Sequence, residues 1–324
     1  VLPMAVTYLR IFFLGVPFFI IFDFGSAILR SMGDTKRPLY ILIIAGIINT
    51  ILNLIFVIYF KMGVAGVAVA TDIANIVSAL LIIILLIKEK EPYRLDIKRL
   101  QIEKSTLKRM LMIGIPAGLQ GMVFSFSNVL VQTTINSHGA AAIAGSAAAL
   151  NFEFYCYFII SAFNGAAISF IGQNYGAGNI KRVKRIFWIC MVASIIGCGA
   201  FNTLFVWQHK FFIGLFSSDE AVQAYAFTRM RIVLAVQFIA CSYEISASAL
   251  RGMSISLPPT IMTIIGTCIL RMVWVFAVCP VWQSFDTIML VYPISWVVTG
   301  VMTSILLYLR ARKKLKISHF QGIR

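Results

Sequence analysis

The sequence predicts an all-α integral membrane protein, a two-lobed helical bundle with parallel pseudo-twofold repeats. Three observations carry that expectation: a composition suited to lipid, nine apolar runs of membrane-spanning length, and a self-similarity at one fixed offset. Of the 324 residues, 60% are hydrophobic and 12% charged, about half the charged share of a soluble domain. The net charge of +16 would suggest nucleic acid in a soluble protein. No basic helix with interleaved exposed aromatics accompanies it, so no nucleic-acid partner is expected. In a membrane protein the same excess marks loops on the cytoplasmic side.

A span needs about 20 largely apolar residues. Runs of that kind lie near residues 5–29, 39–60, 64–87, 110–135, 141–171, 186–207, 222–250, 259–280 and 287–309. Pro17, Pro116 and Pro293 fall inside them and read as kinks rather than ends, because neighbouring helices satisfy the freed backbone groups. The loops test the count. Alternate loops and the C-terminal tail hold 22 of the 28 basic residues, whereas the opposite set holds only Lys61 and Lys210. Arg10, Arg229, Arg231 and Arg271 sit within runs. The positive-inside rule then puts the C-terminus in the cytoplasm and Val1 outside. The expected location is a bacterial plasma membrane, crossed many times. Residues 88–109 form the one sizeable polar stretch between runs and read as a linker, with a short surface helix at 97–109 as an option.

The six cysteines lie within or at the end of apolar runs and lack CxxC spacing, so they read as small buried hydrophobes without a metal or redox role. His138, His209 and His319 are scattered, and no metal site or cofactor is expected. No convergent His, Asp or Ser set suggests an enzyme.

At an offset of 221 residues the chain matches itself without a gap. Arg10-Ile11 aligns with Arg231-Ile232, Asp23 with Glu244, Leu29-Arg30 with Leu250-Arg251, Met32 with Met253, and Pro38 with Pro259. Both copies begin on the same side, so the repeat is parallel. Duplicated halves are typical of secondary transporters, whose substrate path runs between them. The division is residues 1–95 for an N-terminal lobe and 96–324 for a C-terminal lobe. Three spans stand in the first and six in the second, so nine of an expected twelve are present, and the opening Val1-Leu2-Pro3-Met4 reads as the start of a fragment.

The run Tyr8-Leu9-Arg10-Ile11, then Leu29-Arg30-Ser31-Met32-Gly33-Asp34-Thr35-Lys36-Arg37-Pro38, resembles the fourth span and following loop of MATE (multidrug and toxic compound extrusion) transporters. Met62-Gly63-Val64-Ala65-Gly66-Val67-Ala68-Val69-Ala70-Thr71 and Gly172-Gln173-Asn174-Tyr175-Gly176-Ala177-Gly178-Asn179 resemble segments before the sixth span and after the eighth. The resemblance implies twelve spans in two six-helix lobes and export of cationic or amphipathic compounds in exchange for H⁺ or Na⁺. It implies a small-molecule substrate and the bilayer as partners; a monomer is expected.

Carboxylates inside a membrane are costly and are functional candidates by default. Asp23, Asp72, Glu153 and Glu244 qualify. Glu153 stands among Asn151, Phe152, Phe154, Tyr155 and Tyr157. Apolar surroundings suit proton binding and release, and the rings suit a cationic aromatic substrate. A structural hydrogen bond to a neighbouring helix is the alternative. Asp23 and Glu244 are repeat mates, with pairing or capping as their structural reading. The resemblance places Asn49, Asn53 and Thr71 where the family carries an Asn-x3-Asp pair and a Thr for cation binding; Asn53 departs from that Asp. Asn128, Gln120, Tyr155 and Asn164 complete the expected cavity lining. The rival function is a lipid-linked oligosaccharide flippase of the same superfamily, which would line its cavity with basic residues such as the four intramembrane arginines.

Overall fold

The computed structural model describes residues 2–90 and 93–321, with side chains described as far as Arg310. Among these residues there is no strand, and nine helices are long and apolar enough to cross a membrane. They are α1 Leu2–Ser31, α2 Lys36–Tyr59, α3 Gly63–Ile87, α4 Lys104–Asn136, α5 Ala140–Gly176, α6 Ile180–Trp207, α7 Glu220–Gly252, α8 Leu257–Val278 and α9 Phe285–Arg310. Pro17, Pro116 and Pro293 all lie inside continuous helices. Large apolar side chains such as Phe13, Leu14, Ile58, Phe158 and Ile196 face outward, which an aqueous surface would penalise and a lipid one accepts. The basic side chains of the tail beyond Arg310 lie outside the described residues.

The chain divides into two compact units, Val1–Ile102 and Glu103–Arg324, so the break follows Ile102 rather than residue 95. A separate surface helix at 97–109 does not form. Asp96 accepts a hydrogen bond from the Lys98 amide (3.0 Å) and caps the start of one 3₁₀ turn, Ile97–Arg99. Glu103 then accepts from the Ser105 and Thr106 hydroxyls at the start of α4, and residues 104–109 become its first turns.

In the first unit α3 packs against α1 and α2. Leu29, Ile41, Ile82 and Leu86 form its small apolar core. Arg37 ties the start of α2 to the end of α3 through a 2.6 Å bond to Glu89. The second unit has a larger core, in which α5 runs between α6 and α7 and α9 closes against α7. All six cysteines are buried and free.

The sequence repeat recurs in backbone detail. Helix α1 ends at Ser31 and α7 at Gly252, and α2 begins at Lys36 and α8 at Leu257; both pairs of bounds keep the 221-residue offset. The turns between them match bond for bond. The Gly33 amide donates to Arg30 O (3.0 Å) and Asp34 to Leu29 O (3.0 Å); Ser254 donates to Arg251 O (2.9 Å) and Ile255 to Leu250 O (2.9 Å). Each is a Schellman stop, whose pivot residue adopts a left-handed conformation: Gly33 at φ 87° and Ser254 at φ 60°. Glycine meets that demand without a Cβ penalty; serine does not.

Four departures from ideal helix were not expected. A 3₁₀ stretch, Leu234–Ile239, interrupts α7. Helix α2 finishes in a π segment, Ile55–Tyr59, and α8 contains two, Ile264–Ile269 and Trp274–Val278.

Candidate functional site

Gly145 sets the geometry of the second unit. A Cβ there would stand 2.5 Å from Val222 O and 2.8 Å from the Ala226 amide, so α5 and α7 meet backbone to backbone. Two turns along α5, Glu153 shares the face of Gly145, and Arg229 follows Val222 by two turns on α7. That register puts them opposite each other. Arg229 Nε donates to Glu153 Oε1 (2.5 Å) and Nη2 to Oε2 (2.9 Å), while Nη1 donates to Ser146 Oγ (2.5 Å). Gln237, in the 3₁₀ stretch, donates to Glu153 O (3.0 Å). Glu153 is thus not the isolated carboxylate among aromatics that the sequence suggested. The aromatic rings it neighbours in sequence, Tyr155 and Tyr157, point outward.

Arg229 also lies over the Tyr292 ring, 5.3 Å from its centroid, and Arg271 lies over the same ring at 4.6 Å. Arg271 donates to Asn128 Oδ1 (2.7 Å) and Ser295 Oγ (3.3 Å) and sits over Phe124. Both arginines are essentially inaccessible, at 2% and 1% exposure. The reading of Arg229 as one of several basic residues near the outer face, available to line a cavity, is corrected: helix packing consumes its guanidinium. Arg10 and Arg231, repeat mates, are exposed.

Nearer the end of α7, Glu244 accepts from Asn164 Nδ2 (2.8 Å). Arg251 donates to Gln120 Oε1 (2.7 Å) and acts on Glu244 only through space. The second unit therefore unites Gln120, Asn164, Glu244 and Arg251 at one level, and Asn128, Glu153, Arg229 and Arg271 at another.

In the first unit, Asn53 Nδ2 donates to Asn49 Oδ1 (3.0 Å), and Asn49 Nδ2 reaches Thr71 Oγ1 at 3.4 Å. The three residues meet across α2 and α3, and Asn53 Oδ1 is buried without a partner. Asp72, one position on, turns instead towards α1, where it fills the space a Gly15 side chain would take. Asp23 is exposed and does not join this group.

Arg229 is the residue that sequence reasoning missed. A signal existed: Glu153 and Arg229 stand 13 and 9 residues into parallel helices that start from the same side, so their depths differ by only about 6 Å. A buried intramembrane charge calls for a partner at its own depth.

Duplicated turns, nine spans among the described residues and buried charges inside the helices define a polytopic membrane protein built on a repeat. Residues 116–276 match the MatE family model, and residues 2–139 match the model of the lipid II flippase MurJ. The probable multidrug resistance protein YpnP of Bacillus subtilis is 36% identical over 183 residues, covering 56% of this chain and 40% of the relative. YoeA, from the same organism and likewise named a probable multidrug resistance protein, is 26% identical over 272 residues, covering 82% and 58%. The crystal structure of MATE in the bent conformation superposes with a TM-score of 0.85 at 19% identity, over 97% of this chain and 70% of that one. In sequence and in fold the chain is thus similar to MATE transporters. It spans about half the length of the curated relatives it matches.

Proposed function

We propose that this chain provides most of an exporter of drugs or cationic, amphipathic metabolites, coupled to H⁺ or Na⁺ and working by alternating access in a bacterial plasma membrane. The relatives named as multidrug resistance proteins support export. The observation that carries coupling is the environment of Glu244: a carboxylate within a span whose direct partner is the amide of Asn164 rather than an arginine. Glu153 is already neutralised by Arg229, so its role in this reading is to hold α5 against α7. Glu244, with Asn164 beside it, is the group left to exchange a cation or proton. The chain Asn49–Asn53–Thr71, with its open amide oxygen, is the second candidate. The basic loops face the cytoplasm.

Ethidium efflux from cells expressing the protein tests this reading. Glu244→Gln should abolish gradient-driven efflux at equal protein abundance, and an uncoupler or sodium ionophore should do the same to the unaltered protein. Efflux that survives both treatments would sink cation coupling. The flippase alternative draws on the MurJ match at residues 2–139. Translocation of a lipid-linked oligosaccharide in vesicles, with no ethidium efflux, would favour it.

A further inference from the structure

In the second unit, α6, α7 and α9 leave a cleft between them at the end where the basic residues gather. Its volume is about 500 Å³, within the range of ligand-holding cavities. Phe187, Trp188, Met191 and Leu307 give it apolar walls, and Lys184 stands among its lining residues. Two features go beyond an ordinary helix groove. Ser246, which also lines it, is 1% exposed and its hydroxyl has no hydrogen-bond partner. A buried donor without an acceptor is costly, and none of the apolar neighbours can satisfy it. The mouth is also cationic: Lys184 lines it, and Lys181 and Arg185 are exposed on the same first turns of α6. Trp188, at 63% exposure, opens the cleft to the surrounding lipid at the depth where indole rings settle.

We infer that this cleft binds an anionic phospholipid from the bilayer, one acyl chain between α6 and α9, an ester carbonyl on the Ser246 hydroxyl, and the phosphate beside Lys184. The depths agree. Ser246 lies six residues from the end of α7 and Lys184 four from the start of α6, about 9 Å and 6 Å below the helix ends. Met191 continues the apolar wall deeper, where an acyl chain runs. The charge of the rim selects the headgroup: each basic residue near a membrane surface is worth about fivefold in affinity for anionic lipid. A cationic amphiphile would meet repulsion at the same place.

Trp188 is a reporter for the test. Purified protein in neutral-detergent micelles is titrated with phosphatidylglycerol carrying brominated acyl chains, and separately with brominated phosphatidylcholine. The quenching that Trp188→Phe removes measures occupancy of the cleft. Phosphatidylglycerol should saturate this component at a concentration at least about fivefold lower than phosphatidylcholine. Lys184→Glu, at an exposed site that leaves folding untouched, should erase that preference. Ser246→Ala should weaken both lipids with helical circular dichroism unchanged. Equal quenching by the two lipids in the unaltered protein, or a preference that survives Lys184→Glu, would overturn the inference.

Discussion

Breaking the Glu153–Arg229 pair is the sharpest test of the second unit's packing. The two side chains are 9% and 2% exposed and share two charge-assisted bonds of 2.5 and 2.9 Å. Bonds of that kind contribute about 1.5–3 kcal/mol each, so removing one partner should cost about 3–5 kcal/mol, the range for an orphaned buried charge. Glu153→Met leaves Arg229 with Ser146 and the Tyr292 ring but no counter-charge. Arg229→Met leaves the carboxylate with none. Replacing both by methionine removes the charges together, and the double variant should return to within about 1–2 kcal/mol of the unaltered protein. The assay is reversible unfolding in mixed micelles, following tryptophan emission as denaturing detergent is added, across all four members of the cycle. The coupling energy should be at least about 4 kcal/mol. A value below about 1 kcal/mol, or single variants as stable as the unaltered protein, would refute the pairing and the helix register that Gly145 imposes.

Two further outcomes follow from the repeated turn. Ser254→Gly should stabilise the protein by about 1 kcal/mol, because Ser254 holds the left-handed position that Gly33 fills in the other copy and a side chain is penalised there; the same unfolding assay reads it, and a loss of stability would count against the Schellman geometry. Burial pulls the Asp34 carboxyl upward, but bonds from the Arg37 guanidinium and from the Arg37 and Lys36 amides outweigh it and hold it below the usual carboxylate range. Its stabilising contribution is therefore present above about pH 4 and lost as pH falls further, and Asp34→Asn should flatten that part of a stability profile between pH 5 and 3; an unchanged slope would contradict it.

Length and apolarity made the spans readable, since a bilayer demands about 20 apolar residues at a time and the charged loops are short. The duplication was readable because Arg30, Arg251, Pro38 and Pro259 are rare types in lipid-facing helices, where apolar matches carry little information. Asn49 and Asn53 could be put on one face from their spacing alone. What hid the Glu153–Arg229 pair is rotation: a periodic sequence reports which residues share a face, not which other helix that face meets. Helices such as α4 and α5, whose apolar residues form no single stripe, leave that choice open. The 3₁₀ stretch at Leu234–Ile239 was equally hidden, because no proline or glycine marks it; its Gln237 amide goes to the Glu153 backbone, a tertiary demand that local sequence does not announce.

The close approach at Gly145 limits how the second unit can change shape. A backbone carbonyl and amide that would stand 2.5 and 2.8 Å from an added methyl leave no room for α7 to slide along α5, since one residue of shear is about 1.5 Å and would carry the Val222 and Ala226 side chains across the glycine. The two helices are keyed rather than merely packed. Any transition between states must carry them as one body and take up its strain at hinges elsewhere, in the manner of domain closure without shear.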